Sequence, residues 1–138
     1  GVVVIDVSRV TGFPEMLGGR VKTLHPSIHA GIMAEDNPEH NAELAKHCIK
    51  RIQFVVVNFY PPGKMIDIGG PTLARAAGKS WEHGVTVLVD PADYDAVLEE
   101  LYRTGSVSRG TRLCLARKTF ATTRAYDEGV EKYMATLT

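Results

Sequence analysis

Asp67 stands just ahead of a glycine pair, Gly69 and Gly70, and a proline, Pro71, and it is followed by Thr72, Arg75 and Lys79. A carboxylate, backbone without Cβ atoms and two cations are thereby compressed into thirteen positions. Glycines let a ligand approach the main chain, and proline suits the first helical position. The first N–H groups of such a helix have no partners inside it and can face an anion or a ligand oxygen. Arg75 and Lys79, four apart, share one helix face. Read alone, the segment is equally well a tight turn into a surface helix with solvated charges.

A second group of reactive side chains lies upstream. Thr11, Gly12, Phe13, Pro14 and Glu15 lead into Gly18, Gly19, Arg20, Val21, Lys22, Thr23, Leu24, His25 and Pro26. In extended backbone Arg20 and Lys22 point the same way, so two positive charges can meet one anionic substrate while Thr23 supplies a neutral donor. A third group follows the apolar run Phe54, Val55, Val56 and Val57, which fits a strand buried on both faces of a parallel sheet. Asn58 and Tyr60 then fall at its carboxyl end, where ligands of open α/β sheets bind.

The elements that must carry these residues alternate. Residues 2–6 and 85–89 read as further strands. Asn37, Pro38 and Glu39 open a helix expected to run to residue 50, residues 71–79 form a short helix, and Asp90 and Pro91 open another that runs towards residue 104. Beyond Gly110 the apolar spacing is helical, with an interruption expected near residues 127–129. Three strands are few for a doubly wound sheet, which suggests that an amino-terminal βα portion is absent.

Together the clusters resemble the IMP cyclohydrolase domain of the bifunctional purine-biosynthesis enzyme that also carries an AICAR transformylase. That family is marked by T-G-F-P-E, G-R-V-K-T-L-H-P, V-V-N-x-Y-P and I-D-I-G-G-P-T with a downstream R-x-A-x-K. Here these stand at residues 11–15, 19–26, 56–61, 66–72 and 75–79. The resemblance runs over nearly all of residues 1–138. It implies an α/β fold of methylglyoxal synthase type: three layers, with a mostly parallel sheet and helices on both faces. Two departures stand out. The strand, Ser-rich turn and S-T-G-G-T phosphate loop that the family carries ahead of residues 2–6 have no counterpart among these residues, and the connection from Tyr60 to Ile66 is only five residues long. Were residues 1–138 the whole polypeptide, weak substrate affinity and an exposed apolar sheet edge or face would be the expected consequences.

The resemblance further implies ring closure: the carboxamide nitrogen of a formylated aminoimidazole carboxamide ribonucleotide attacks its own formyl carbon and water leaves, giving IMP. Neither metal nor cofactor is required. In this reading Asp67 takes a proton from, or orients, the attacking nitrogen. Lys22 and Lys79 stabilise the oxyanion, and Tyr60 donates a hydrogen bond or relays a proton. Arg20, Thr23, Asn58, Gly69, Gly70 and Thr72 bind the base or phosphate end, His25 belongs to the site or supports it, and Arg75 binds substrate or holds Asp67. The implied partners are the nucleotide substrate, a fused or associated AICAR transformylase domain and a second copy in a homodimer.

Composition limits the alternatives. Sixteen basic and sixteen acidic residues cancel among 138, so no broad field for a nucleic acid polymer or a membrane surface is expected. No apolar run reaches the ~18 residues of a membrane span and no signal sequence is evident, which suits a cytoplasmic enzyme. Cys48 and Cys114 form no redox or zinc motif and are expected as buried, reduced thiols. His25 and His29 have Pro26 between them and no acidic or cysteine neighbour, so no metal site is expected. Two other classes fit the same residues: a non-catalytic methylglyoxal synthase-like module binding a small anionic effector, and an interaction subdomain whose first layer comes from another polypeptide.

Overall fold

The computed structural model describes residues 2–137. Its elements run α1 (Val7–Thr11), α2 (Pro26–Met33), α3 (Pro38–Lys46), β1 (Phe54–Val56), α4 (Gly69–Lys79), β2 (Thr86–Leu88), α5 (Tyr94–Thr104) and α6 (Arg109–Ala135), with short 3₁₀ turns at Trp81–His83 and Pro91–Asp93. β1 and β2 pair in parallel, Val55 opposite Val87. Two apolar clusters flank them. Val55 and Val87 pack with Ile28 and Ile32 of α2 and Ala76 and Ala77 of α4. Leu88 packs instead with Val97 of α5, Leu115 of α6 and the connecting Val107. The α/β class and its layering, helices on either side of a parallel pair, thus follow from the alternation of strand and helix signals.

Helix boundaries follow local chemistry. Asn37 accepts the His40 N–H at 2.8 Å and starts α3, and Asp90 accepts the Ala92 N–H at 2.9 Å ahead of α5. Gly105, at φ 75°, ends α5. α3 stops at Lys46, short of the expected residue 50, because Cys48 adopts φ 56° and turns the chain out of the helix. α4 begins at Gly69, two residues ahead of Pro71; a proline in the first turn costs no helical hydrogen bond, so it can sit third as well as first.

Four expectations are corrected. Residues 2–6 form no strand; Val2, Val3 and Val4 are 82–92% exposed. β1 is buried on one face only, since Phe54 and Val56 remain 42% and 54% exposed while Val55 is enclosed. Phe54 and Val56 share the face of Thr86 and Leu88, and α6 lies against β2 but leaves β1 uncovered on that side. α6 runs without a break through residues 127–129, because a Cβ on Gly129 would come within 2.7 Å of Pro62. That glycine is there for a close approach and does not interrupt the helix. Both cysteines are free and exposed, not buried. No helix of the described residues is long and apolar enough to cross a membrane.

Candidate functional site

Asp67 lies two residues ahead of α4 and closes its first turn through its carboxylate. Its Oδ1 accepts the Gly70 N–H at 2.8 Å, and its Oδ2 accepts the Tyr60 N–H at 3.2 Å. The Asp67 N–H in turn donates to the Tyr126 hydroxyl at 2.7 Å. A Cβ on Gly70 would lie 2.7 Å from the Asp67 carboxylate, so any larger residue would have to displace that carboxylate. The carboxylate is therefore held by the turn it starts, and it lies beside the residues that follow β1. Tyr60, which meets the carboxylate through its backbone, is 57% exposed.

The upstream cluster reaches this point through Thr23, whose Oγ1 lies 3.1 Å from where a Cβ on Gly69 would stand. A small hairpin presents it: Met16 and Val21 form an antiparallel bridge. Leu17, Gly18 and Gly19 all have positive φ, between 54° and 84°. Arg20 falls in that turn, so the alternating, extended arrangement of Arg20 and Lys22 expected from sequence is replaced by a turn followed by a bend. Lys22 makes a 3.8 Å ion pair with Glu15, both side chains nearly half exposed. An exposed pair at that distance is weak and is readily exchanged for a substrate anion.

Several candidates are engaged elsewhere. Arg75 lays its guanidinium over the Phe120 ring at 5.5 Å, and the hydrogen bonds that hold Asp67 come from Tyr60, Gly70 and Tyr126. The Thr72 hydroxyl donates to the Ile68 carbonyl at 2.7 Å, closing the first turn. His25 caps α2, its Nδ1 accepting the Ser27 N–H at 3.2 Å. Asn58 is exposed just beyond β1. Lys79 is the last residue of α4, and ten residues of helical rise put it about 15 Å from Gly69. The structure brings Thr23 to Gly69 and sets the Tyr60 and Gly70 backbone N–H groups on the Asp67 carboxylate, while the Lys22 ammonium pairs with Glu15 and Lys79 stands at the other end of the helix.

A depression of about 460 Å³ between α2 and α3 contains none of these residues; Ala30, Met33, Leu44 and His47 are among those lining it. The chemistry, not the size of that hollow, locates the candidate site. Among the described residues no three His, Cys, Asp or Glu side chains cluster to hold a metal ion.

Tyr126 is the contributor that sequence reading left unassigned. It lies on the buried stripe of α6 with Leu115, Thr119 and Thr123. A tyrosine on such a stripe must find a partner for its hydroxyl, and that requirement was the available signal.

Residues 77–138 match the model of the family described as AICARFT/IMPCHase bienzyme. The bifunctional purine biosynthesis protein PurH of Halalkalibacterium halodurans is 48% identical over 149 residues, covering 97% of this chain and 29% of that protein. PurH of Listeria monocytogenes is 48% identical over 153 residues, covering 100% of this chain and 30% of that protein. The chain thus spans about three-tenths of the length of these relatives. Both alignments are longer than the 138 residues of the chain, so the relatives carry insertions relative to it. Among solved structures, that of ForH superposes with a TM-score of 0.82 at 37% identity, over 93% of this chain and 74% of ForH.

Proposed function

The chain belongs to the AICARFT/IMPCHase bienzyme family, and from that premise we propose that residues 1–138 form an IMP cyclohydrolase domain. It closes the six-membered ring of a formylated aminoimidazole carboxamide ribonucleotide to give IMP. One observation carries the reading: three sequence segments, at residues 23, 60 and 67–70, meet at the amino end of α4.

The carboxamide nitrogen attacks the formyl carbon of the same substrate molecule, forming the C–N bond while the formyl oxygen becomes an alkoxide. The carboxamide nitrogen gives up one proton and the formamido nitrogen another, and with them the former formyl oxygen departs as water. Asp67 suits the nitrogen side, because two backbone N–H groups fix both carboxylate oxygens and leave further lone pairs for an N–H of the amide. Lys22 suits the oxygen side. It lies on the segment that touches Gly69, and displacing its exposed bond to Glu15 costs little. Lys79 carries the same proposed role from the family pattern, and the geometry ranks it second. Tyr60 relays or donates a proton, and Arg20, Thr23, His25, Asn58, Gly69, Gly70, Thr72 and Arg75 remain the proposed contacts for base and phosphate. Holding the folded conformer together accounts for much of the rate, because both reacting groups belong to one molecule. No cofactor enters this scheme.

The same reading proposes a cytoplasmic protein, a fused or associated transformylase domain as in the bifunctional relatives, and a homodimer. Relatives with purine-biosynthesis names match over the whole chain, which favours an enzyme over an effector-binding module. The test is direct turnover. The product has a purine chromophore that the open substrate lacks, so the purified chain should develop the product absorbance, and Asp67→Asn should slow it by roughly a hundredfold or more. Substrate binding without any turnover would return the chain to the effector-binding class.

A further inference from the structure

We propose that Tyr126 is a positioning residue, one that sets the Asp67 carboxylate for ring closure through the backbone of Asp67; the proposal rests on the cyclohydrolase reading. Tyr126 lies on α6, 59 positions along the chain, and is only 6% exposed. Its hydroxyl oxygen is the acceptor for the Asp67 N–H at 2.7 Å. Its ring meets Phe59 edge to face, with centroids 5.5 Å apart and planes at 72°. One turn further along α6, Gly129 lies against Pro62.

α6 therefore grips the connection between β1 and α4 at three points: before Tyr60, at Pro62, and at Asp67. Tyr60 and Asp67 are the two residues whose relative placement decides where the carboxylate sits, since the Tyr60 N–H donates to Oδ2. A backbone N–H removed from water needs an acceptor. Here the acceptor is a side chain, so the orientation of the Asp67 peptide depends on one phenolic oxygen. Fixing that peptide fixes the Cα–Cβ direction, and the bonds from Gly70 and Tyr60 then fix the two oxygens. Catalytic groups lose rate steeply when displaced by an ångström, and a buried support of this kind prevents that displacement. Tyr126 does not touch the reacting atoms; it acts through Asp67.

Tyr126→Phe keeps the ring on Phe59 and removes the acceptor. The expected result is a roughly tenfold fall in kcat with KM within about twofold. Hydrogen exchange at the Asp67, Tyr60 and Gly70 amides should become faster, while the amides of β2 and the amino-terminal half of α6 keep their protection. In an Asp67→Asn background Tyr126→Phe should change kcat by less than about twofold, because the residue acts through a carboxylate no longer present. Phe59→Leu, which keeps the hydroxyl acceptor, should leave kcat within about threefold and serves if Tyr126→Phe does not fold; a Phe59→Leu loss as large as tenfold would make packing, not the hydroxyl, the cause. Unchanged kcat in Tyr126→Phe, or equal losses in the presence and absence of the Asp67 carboxylate, would overturn the proposal. If the unsubstituted chain shows no turnover, the cyclohydrolase reading fails separately, and the exchange measurement still decides whether Tyr126 fixes Asp67.

Discussion

The two loops that meet at α4 are held in opposite ways. Residues 59–70 are pinned: the carboxylate of Asp67 receives two backbone N–H groups, its own N–H is received by Tyr126, and Gly129 closes on Pro62. Residues 15–23 rest on one isolated bridge, one exposed 3.8 Å ion pair and the approach of Thr23 to Gly69. Local stability follows buried contacts and protected hydrogen bonds, so the first loop moves with the core and the second opens at lower cost. For the proposed function, this arrangement would keep the carboxylate preorganised and leave the cationic loop free to adjust to a substrate. Under the proposed function Asp67 would both cap α4 and take part in the chemistry, two roles that a substitution cannot separate completely.

Asp67→Asn breaks the comparison at its strongest point. An amide places a donor against the N–H of either Tyr60 or Gly70, so the variant should lose about 1 kcal/mol of stability by thermal or denaturant unfolding along with its roughly hundredfold or greater loss of turnover. Lys22→Ala is the counterpart in the loosely held loop. Turnover should fall about a hundredfold while stability stays within about 0.5 kcal/mol, because the only bond removed is an exposed ion pair. Equal losses of stability in the two variants would show that the loops are equally ordered.

Gly129→Ala sharpens the contrast without touching a reactive group. The added Cβ would stand 2.7 Å from Pro62, so α6 or the connection must shift, at a cost of about 1–3 kcal/mol seen as an earlier unfolding midpoint. Gly18→Ala, in the other loop, meets no atom within 4 Å but sits at φ 64°, so its cost of about 1 kcal/mol should come from backbone strain alone.

The smallest effect concerns a surface clamp outside both loops. Lys118 reaches Asp90 and Asp93, with Nζ 2.7 Å from each carboxylate. Its hydrogen bond lowers the Asp90 carboxyl below its ordinary value of 3.8, and the bonds to Asp90 and Asp93 raise the Lys118 ammonium above 10.5. A lowered carboxyl contributes stability above its unfolded value that is lost as pH falls through the folded one; a raised ammonium contributes below its unfolded value and loses it as pH rises through the folded one. The difference in melting temperature between the unsubstituted chain and Lys118→Met should therefore be constant from pH 5 to 9 and shrink at either extreme, as differential melting across that range would show. A difference that grew as pH fell below 4 would contradict the clamp.

Much of this was legible in the residues. Asn37 and Asp90 announced helix starts, the second helix was expected to run towards residue 104, and the parallel pairing of residues 54–56 with 86–88 followed from two short apolar runs separated by a helix. The proximity of Asp67 to the amino end of α4 was likewise written locally, because a cap and its first turn lie a few residues apart. Local signals failed where the reason was distant. Gly129 looked like a helix breaker until Pro62 was placed beside it, and Phe54 and Val56 looked enclosed because an apolar run does not say which faces are covered.

The sequence by itself determined the caps at Asn37 and Asp90, the strand pair, the motif residues and the family resemblance, since each depends on neighbours along the chain or on a spacing. Tertiary structure alone decided that Thr23 meets Gly69, that Arg75 stacks on Phe120 and that Tyr126 receives the Asp67 N–H. The physical reason is that a hydrogen bond or a ring contact between residues tens of positions apart has no local signature. It exists only after burial of the two apolar clusters has fixed how α6, α4 and β1 lie against one another.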